Sequence, residues 1–258
     1  MISNYHTHTY RCRHASDTEE EYILRAVEGG FQHLGFSDHT PYWFDGDYYS
    51  YFRMYPEQLP DYVDTILRLK KEYAGKIDVH LGLEAEFYPA YFKELLEHLK
   101  DYPIEYMILG QHYAGNEIGE PYYGQFVTED TSVLSRYCDQ VVEAIYTGVF
   151  SCVAHPDIAG FGGDEQVYRK YMRRVCQAAK ACGIPLELNL LGIRSGRHYP
   201  ESRFWRLAGE EGCQVILGCD AHRARDVWDP ESEKVAMEMV KEFDLQLLQK
   251  LPHKHIGA

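Results

Sequence analysis

The chain has 258 residues, of which 45% are hydrophobic and 26% are charged. This composition is ordinary for a soluble globular protein, and the length suffices for one α/β barrel or two small domains. The formal net charge of −14 disfavours general nucleic-acid binding, but bound divalent cations can reverse the local field and so admit a small phosphorylated substrate. No apolar run approaches the roughly 20 residues that span a bilayer, and the N-terminus has no signal-peptide pattern.

The cysteines bear on the cellular compartment. There are seven of them, an odd number, and no two form a Cys-x-x-Cys pair. This usage argues against a disulfide framework and predicts a protein of the reducing cytoplasm. Several of the cysteines fall within apolar runs, where we expect the thiol to act as a small core side chain.

Short apolar runs alternate with amphipathic stretches along the chain. Strands are predicted at 2–5, 33–36, 77–83, 106–109, 150–154, 185–189 and 215–218. Helices are predicted near 18–29, 57–74, 89–100, 131–147, 164–182, 201–211 and 230–242. Thr18 and Glu21 form a capping-box pattern at the first helix, and Gly183 is placed to end the fifth. Seven strand–helix units predict a distorted (β/α)7 TIM-like barrel, with residues 1–258 forming a single domain.

Histidines and acids stand just past the predicted strands. The set consists of His6, His8, His14, His39, Glu84, His112, His155, Asp220 and His222. Because the carboxyl ends of barrel strands converge on one face, we expect these side chains to meet there. Imidazole and carboxylate groups bind zinc, manganese and iron alike, and nine of them are too many for one ion. The sequence therefore predicts a multinuclear metal hydrolase.

These residues resemble the motifs of the PHP (polymerase and histidinol phosphatase) family, and in particular its histidinol-phosphate phosphatase branch. The matching segments, which cover essentially the whole chain, are His6-Thr7-His8-Thr9, Cys12-Arg13-His14, Ser37-Asp38-His39-Thr40-Pro41, Gly82-Leu83-Glu84, Gly110-Gln111-His112, Ala154-His155-Pro156-Asp157 and Asp220-Ala221-His222. The resemblance implies a distorted (β/α)7 barrel that holds three divalent metal ions (zinc, manganese or iron). It also implies hydrolysis of a phosphate monoester, L-histidinol phosphate in histidine biosynthesis, by a metal-bound hydroxide.

The resemblance further implies how the ligands divide among the ions. One ion is expected to be bound by His6, His8, Asp220 and a bridging Glu84. The second is expected to be bound by Glu84, His112 and His155, and the third by His14, His39 and His222. Asp220 and Glu84 are the expected catalytic residues, with Asp220 taking or relaying a proton. Asp38 is expected to orient a ligand histidine.

Three residues after the sixth strand are candidates for substrate binding: Arg194, Arg197 and His198. Guanidinium groups make bidentate contacts to phosphate, and Arg194 matches the Asn-x-x-Gly-x-Arg pattern of the family. The alternative is that these residues form surface contacts only.

The loop after the second strand is unusually aromatic, with Tyr42, Trp43, Phe44, Tyr48, Tyr49, Tyr51, Phe52 and Tyr55. It is either a wall over an organic leaving group or a set of rings that pack on neighbouring helices. Arg53 in the same loop is a weaker phosphate candidate. The remaining histidines, at 33, 80, 98, 253 and 255, are expected to be structural or exposed.

One segment departs from the family pattern. After the His-Pro-Asp motif, members of the family usually carry a basic residue before a Phe-Gly, whereas this chain has Ile158-Ala159-Gly160-Phe161-Gly162-Gly163. The departure leaves open a different small phosphate ester, such as a nucleotide or sugar phosphate, or a phosphotyrosine protein. A polymerase-associated exonuclease module and a non-catalytic metal-binding regulatory domain are the remaining alternatives. No oligomeric state is predicted.

Overall fold

The computed structural model describes residues 1–118, 122–124 and 126–252. Its strands in chain order are β1 (Ser3–Asn4), β2 (His33–His39), β3 (Asp78–Ala85), β4 (Tyr106–Leu109), β5 (Tyr113–Ala114), β6 (Tyr122–Tyr123), β7 (Cys152–Val153), β8 (Leu186–Asn189), β9 (Gln214–Gly218) and β10 (Gln246–Leu247). The main sheet is parallel, in the order β1-β2-β3-β4-β7-β8-β9-β10. Strands β5 and β6 form a separate antiparallel hairpin above it.

The helices in chain order are α1 (Glu19–Glu28), α2 (Leu59–Glu72), α3 (Pro89–Leu99), α4 (Thr131–Tyr146), α5 (Glu165–Cys182), α6 (Leu190–Arg194), α7 (Ser202–Glu211) and α8 (Pro230–Glu242). The seven predicted strands and seven predicted helices are confirmed, whereas β5, β6, β10 and the short α6 were not predicted. The capping box of Thr18 and Glu21 is present at α1, and α5 ends at Gly183, whose φ is 63°. No helix of the described residues is both long enough and apolar enough to cross a membrane.

The barrel closes where the first and last parts of the sheet meet. Thr7, just past β1, forms a parallel bridge with Ala221, just past β9. The His8 amide donates to the Ala221 carbonyl at 3.0 Å, and the Ala221 amide donates to the His6 carbonyl at 3.2 Å. At the opposite end β10 lies beside β9, and the Ser3 hydroxyl donates to the Gln249 carbonyl at 2.6 Å. Seven strands therefore close at the carboxyl end only, which confirms a single distorted (β/α)7 domain.

The floor of the barrel is filled by the side chain of Tyr106. Its hydroxyl donates to the carbonyls of Tyr5 (2.8 Å) and Phe36 (3.1 Å). Gly35 and Gly82 on the neighbouring strands leave room for the ring, since a Cβ at either position would overlap with it. The packed floor leaves the carboxyl ends of the strands as the place where polar side chains can gather.

Candidate metal centre

The carboxyl ends of six strands bring the nine candidate ligands together. His39 is the last residue of β2 and Glu84 is the second-last of β3, while the others follow β1, β4, β7 and β9 within a few residues. All of them except His6 line one open cavity of about 490 Å³, and His6 is buried beneath it. His14 reaches the cavity from the loop after the first strand rather than from a strand end. The structure thus brings all nine predicted ligands to one site.

A first group of four donor atoms lies around the Nε2 atoms of His6 and His8. His6 Nε2 is 3.5 Å from Glu84 Oε2 and 3.6 Å from Asp220 Oδ1. His8 Nε2 is 3.5 Å from Glu84 Oε2 and 3.1 Å from Asp220 Oδ1. Two imidazoles and two carboxylates around one point form the donor set of a divalent metal.

The other oxygen of Glu84 faces a second group. Glu84 Oε1 is 3.1 Å from His155 Nε2 and 3.8 Å from His112 Nε2. Its carboxylate is pressed against Gly110, where a Cβ would overlap with Oε1. Glu84 therefore presents one oxygen to each of two imidazole groups, which is the geometry of a bridging carboxylate.

A third group lies at the mouth of the cavity. The Nε2 atoms of His14 and His222 are 2.9 Å apart, while the Nδ1 atoms donate to the carbonyls of Cys12 (2.9 Å) and Asp220 (3.2 Å). A carbonyl can only accept, so both protons are assigned to Nδ1 and both Nε2 atoms carry lone pairs. Two facing lone pairs repel each other unless a cation lies between them.

His39 lies between the second and third groups. Its ring atoms are close enough to His14 and His222, and also to Glu84 and His112, to share an ion with either pair. Its Nδ1 is 3.0 Å from Glu84 Oε2. The expected assignment of His39 to the third ion alone is thus one of two arrangements that the geometry permits.

Several buried donor atoms of the site have no hydrogen-bond partner. They include His6 Nε2, His39 Nδ1 and Glu84 Oε2. Buried polar atoms are nearly always paired, so such a cluster requires an explanation. Divalent cations explain it, because these are the atoms that a zinc, manganese or iron ion would coordinate. The residues present therefore fit a metal centre.

The pKa shifts of the site reflect its crowding of buried acids and imidazoles. Burial alone would raise the pKa of Glu84, but the imidazoles of His39 and His6 hold that pKa well below its usual range. Burial lowers the pKa of His39 and His222 well below the ordinary value, whereas facing carboxylates outweigh burial and raise the pKa of His6, His8 and His112. Because only neutral imidazoles bind metal, a cation at the last three rings would have to displace protons.

Carboxylates contact the Nδ1 atoms of three candidate ligand histidines. His6 Nδ1 donates to Glu187 Oε1 at 2.7 Å, and His112 Nδ1 donates to Glu86 Oε1 at 2.8 Å. His8 Nδ1 lies 3.5 Å from Asp38 Oδ1, so Asp38 is the acid beside a candidate ligand histidine. Such partners fix the tautomer and the ring orientation of a ligand.

Two residues of β8 take part in the site although the sequence analysis missed them. Glu187 holds His6 and also accepts the His155 amide at 3.1 Å. The Asn189 amide donates to Glu187 Oε2 (2.9 Å) and to Asp220 Oδ2 (3.1 Å). The available signal was an acid and an amide two residues apart in an apolar strand, where alternate side chains share one face.

The predicted substrate-binding residues lie on the loop after β8. Arg194 lines the cavity, and its guanidinium also donates to the carbonyls of Cys219 (2.9 Å) and Asp220 (3.2 Å). Arg197 lines the cavity and donates to the Tyr199 hydroxyl at 2.6 Å. His198 is not among the lining residues. Its Nε2 is 2.9 Å from the Ile158 carbonyl, a contact that anchors the loop.

The rings of the aromatic loop divide between the cavity wall and packing elsewhere. Tyr51 and Phe52 line the cavity, whereas Tyr42 and Phe44 stack on each other away from it. The prediction of Arg53 as a phosphate ligand is wrong, because its guanidinium is completely buried against two glutamates and is out of reach of a substrate.

The other histidines of the described residues are structural or exposed, as expected. His33 and His80 lie at the amino ends of β2 and β3, with ring nitrogens 3.2 Å apart. His98 stacks on Trp43 with ring centroids 3.8 Å apart. The residues at 253 and 255 lie outside the described ranges.

Fold and site together define an α/β-barrel protein with a candidate centre for divalent metal ions. The model of the PHP domain family matches residues 4–190, which is most of the chain. The chain therefore belongs to the PHP family.

Known proteins resemble the chain over most of its length. It is 32% identical over 229 residues to the "probable histidinol-phosphatase" of Deinococcus radiodurans, with 86% of each chain covered. It is 26% identical over 254 residues to the histidinol-phosphatase of Bacillus subtilis, covering 86% of this chain and 94% of that protein. The histidinol phosphate phosphatase of Lactococcus lactis, whose crystal structure contains zinc, L-histidinol and phosphate, has the same fold. In that comparison the TM-score is 0.74, the identity is 19%, and 97% and 98% of the two chains are covered.

Proposed function

We propose that the chain is a metal-dependent phosphomonoesterase that hydrolyses L-histidinol phosphate to L-histidinol and phosphate. The observation that carries the proposal is the Glu84 carboxylate, which presents its two oxygens to separate imidazole groups on the floor of an open cavity. The names of the relatives and the contents of the Lactococcus lactis structure support this substrate.

The proposed centre holds three divalent cations. His6, His8, Asp220 and Glu84 would bind the first, Glu84, His112 and His155 the second, and His14, His39 and His222 the third. Bound cations would neutralise charge on the phosphoryl oxygens and lower the pKa of a coordinated water to about 7. The ligand set accepts zinc, manganese and iron alike.

Arg197 is the proposed phosphate-binding side chain of the cavity wall. Among the described residues no carboxylate lies within ion-pair distance of its guanidinium, in contrast to Arg194, which is 3.2 Å from Asp229. The Tyr199 hydroxyl accepts from one of its nitrogens, which orients the guanidinium while the other nitrogens stay available. An arginine held in this way can donate two parallel hydrogen bonds to a phosphoryl group.

Asp220 and Glu84 are the proposed catalytic carboxylates. Asp220 Oδ2 accepts from Asn189 and its Oδ1 faces His8, so this carboxylate is held rigidly and is ionised. We propose that Asp220 also takes or relays a proton, although Oδ1 is the oxygen that would hold the first cation. Glu84 contacts both imidazole groups, one through each carboxylate oxygen, and so fixes their relative position. Phe52, Ile158 and Leu191 form the apolar part of the wall and limit the access of bulk water.

A second candidate is hydrolysis of another small phosphate ester. It is favoured by the segment Ile158–Gly160, which carries no basic residue ahead of Phe161-Gly162 and whose Ile158 lines the cavity. Arg223 and Arg225 on the opposite rim offer positive charge that would suit a more anionic substrate.

A phosphatase screen tests the proposal. The protein is reconstituted with Zn²⁺, Mn²⁺ or Fe²⁺, and phosphate release is measured with L-histidinol phosphate, nucleotides, sugar phosphates and phosphotyrosine. We expect the highest kcat/KM with L-histidinol phosphate. Turnover of other esters without turnover of L-histidinol phosphate would replace the substrate, and no metal-dependent hydrolysis of any ester would overturn the proposal.

A further inference from the structure

A cluster of buried charges lies outside the cavity, between the aromatic loop and β3. It consists of Arg53, Glu86 and Glu117, whose exposed fractions are 0%, 0% and 3%. Arg53 Nη1 is 3.0 Å from Glu86 Oε2, and Nη2 contacts Glu117 Oε2. The cluster thus contains two carboxylates for one guanidinium. A surplus buried charge is costly unless another group compensates it.

The surplus charge lies beside the metal centre. Glu86 Oε1 accepts from His112 Nδ1 at 2.8 Å, and the Nε2 of the same imidazole faces Glu84. Arg53 also donates to the carbonyl of Thr40 (3.0 Å), which directly follows the candidate ligand His39. One imidazole ring therefore separates the cluster from the position of a bound cation.

The same arginine holds the aromatic loop. Arg53 Nε donates to the Ser50 hydroxyl at 2.6 Å, and the guanidinium lies 4.5 Å from the ring centroid of Phe52. Phe52 in turn packs against the rings of His39 and His112, with centroids 5.2 Å and 5.8 Å away. The wall of the cavity and the orientation of a ligand thus depend on one guanidinium.

We propose that Arg53 is a positioning residue that couples the order of loop 40–55 to cation binding at His112. A cation on Nε2 strengthens the hydrogen bond from Nδ1 to Glu86 and compensates the surplus negative charge. The contacts of Arg53 with Glu86 and Glu117 then hold the loop and Phe52 in place. Coupling of this kind is reciprocal, so an ordered loop also tightens cation binding. The inference rests on the proposed metal site at His112.

Hydrogen exchange of the backbone amides in residues 40–55 tests the coupling. The protein is compared with excess chelator and with Zn²⁺ alone, without substrate. In the wild-type protein we expect Zn²⁺ to slow exchange in this loop at least tenfold. In Arg53→Met we expect fast exchange that no longer responds to Zn²⁺.

The single variant removes the guanidinium that neutralises two buried carboxylates and is therefore expected to be poorly stable. Arg53→Met combined with Glu117→Gln has the same net charge as the wild-type cluster and is the decisive variant. Arg173→Met is the control, since this exposed arginine pairs with Glu210 and Glu211 on the far side of the barrel.

The double variant should bind Zn²⁺ at least tenfold more weakly in chelator competition and raise KM by a larger factor than it lowers kcat, because Phe52 no longer packs at the wall. If the amides of residues 40–55 in the double variant exchanged as slowly as in the wild type, and Zn²⁺ slowed them by the same factor, the inference would be overturned. Loss of coupling in an enzyme that hydrolyses no phosphate ester would overturn the proposed function and leave the inference standing.

Discussion

His14 Nε2 lies 2.9 Å from His222 Nε2, although the two residues are 208 positions apart in the sequence. Because both Nδ1 atoms donate to carbonyls, both Nε2 atoms present lone pairs, which suit the binding of a cation between the two rings. We predict that His14→Ala removes one ion and leaves the other two, and that kcat/KM falls by at least the roughly 10–100-fold typical for loss of an outer partner. Elemental analysis of the reconstituted protein checks the metal count, with His98→Ala as the matched control. Three ions per chain in His14→Ala would contradict the assignment.

Glu84 is predicted to matter more than any single imidazole, since its two oxygens serve two groups. Glu84→Ala, and the isosteric Glu84→Gln, should each lose at least two ions and nearly all activity. Metal analysis and phosphate release from the same preparation provide the measurement. Full metal occupancy with normal turnover in either variant would show that the carboxylate does not bridge.

Glu187 is predicted to tune metal affinity without touching a metal. Glu187→Gln removes the negative charge behind His6, so zinc affinity or kcat should fall roughly 10–100-fold. Chelator competition monitored at several pH values measures the affinity. Because Glu187 also accepts the His155 amide, Glu187→Asp serves as the conservative comparison and should recover part of the loss. Equal affinities in wild type and Glu187→Gln would rule out this role.

Arg197 is predicted to bind the phosphoryl group. Arg197→Ala removes charge-assisted hydrogen bonds worth about 1.5–3 kcal/mol, which corresponds to a roughly 10–100-fold loss in kcat/KM. Inhibition by inorganic phosphate should weaken in parallel, whereas the metal content stays unchanged. Arg68→Ala, at an exposed arginine of α2 that pairs with Glu72 and does not line the cavity, is the control and should be nearly silent. Unaltered phosphate inhibition in Arg197→Ala would remove this residue from the substrate site.

We predict that the free energy of unfolding depends on pH through Glu105, at the amino end of the barrel. Burial would raise its pKa, but hydrogen bonds from His80, Lys70 and the Leu81 amide lower that pKa to about 2. A depressed pKa stabilises the folded state above the unfolded value near 4.5, and this contribution is lost as the pH falls toward 2. Its size at neutral pH is on the order of 3 kcal/mol at most.

Urea unfolding of the metal-free protein measures this contribution. The difference in unfolding free energy between wild type and Glu105→Gln should be largest at pH 7 and should shrink toward pH 3. A difference that does not change with pH would mean that Glu105 is not ionised with a depressed pKa in the folded state.

The sequence was informative where the signals are local. Apolar periodicity located every strand and helix of the barrel units, and the Thr18–Glu21 pattern located a helix start, because these features depend on neighbours within one turn or one strand. The gathering of the candidate ligands was also predictable, since the ends of parallel strands must converge. The hairpin of β5 and β6 was not, because its short strands depend on tertiary packing.

Long-range contacts account for what was mispredicted or missed. Arg53 carries no local sign of its burial, which depends on Glu86 and on Glu117, 64 positions away. The local sequence does not distinguish Glu187 from other acids in strands, because its role depends on the contact with His6, which is 181 positions away. Which side chains meet across the sheet depends on the register of all its strands, and local patterns in a single sequence do not reveal that register.

The bridge between Thr7 and Ala221 joins the segment after β1 to the segment after β9, and the residues on either side of it, His6, His8, Asp220 and His222, are candidate ligands. The candidate metal centre therefore straddles the seam of the barrel, so bound ions would act as a clasp across it. During synthesis the centre cannot assemble until the segment after β9 has emerged, and loss of the cations should open the barrel first at this seam.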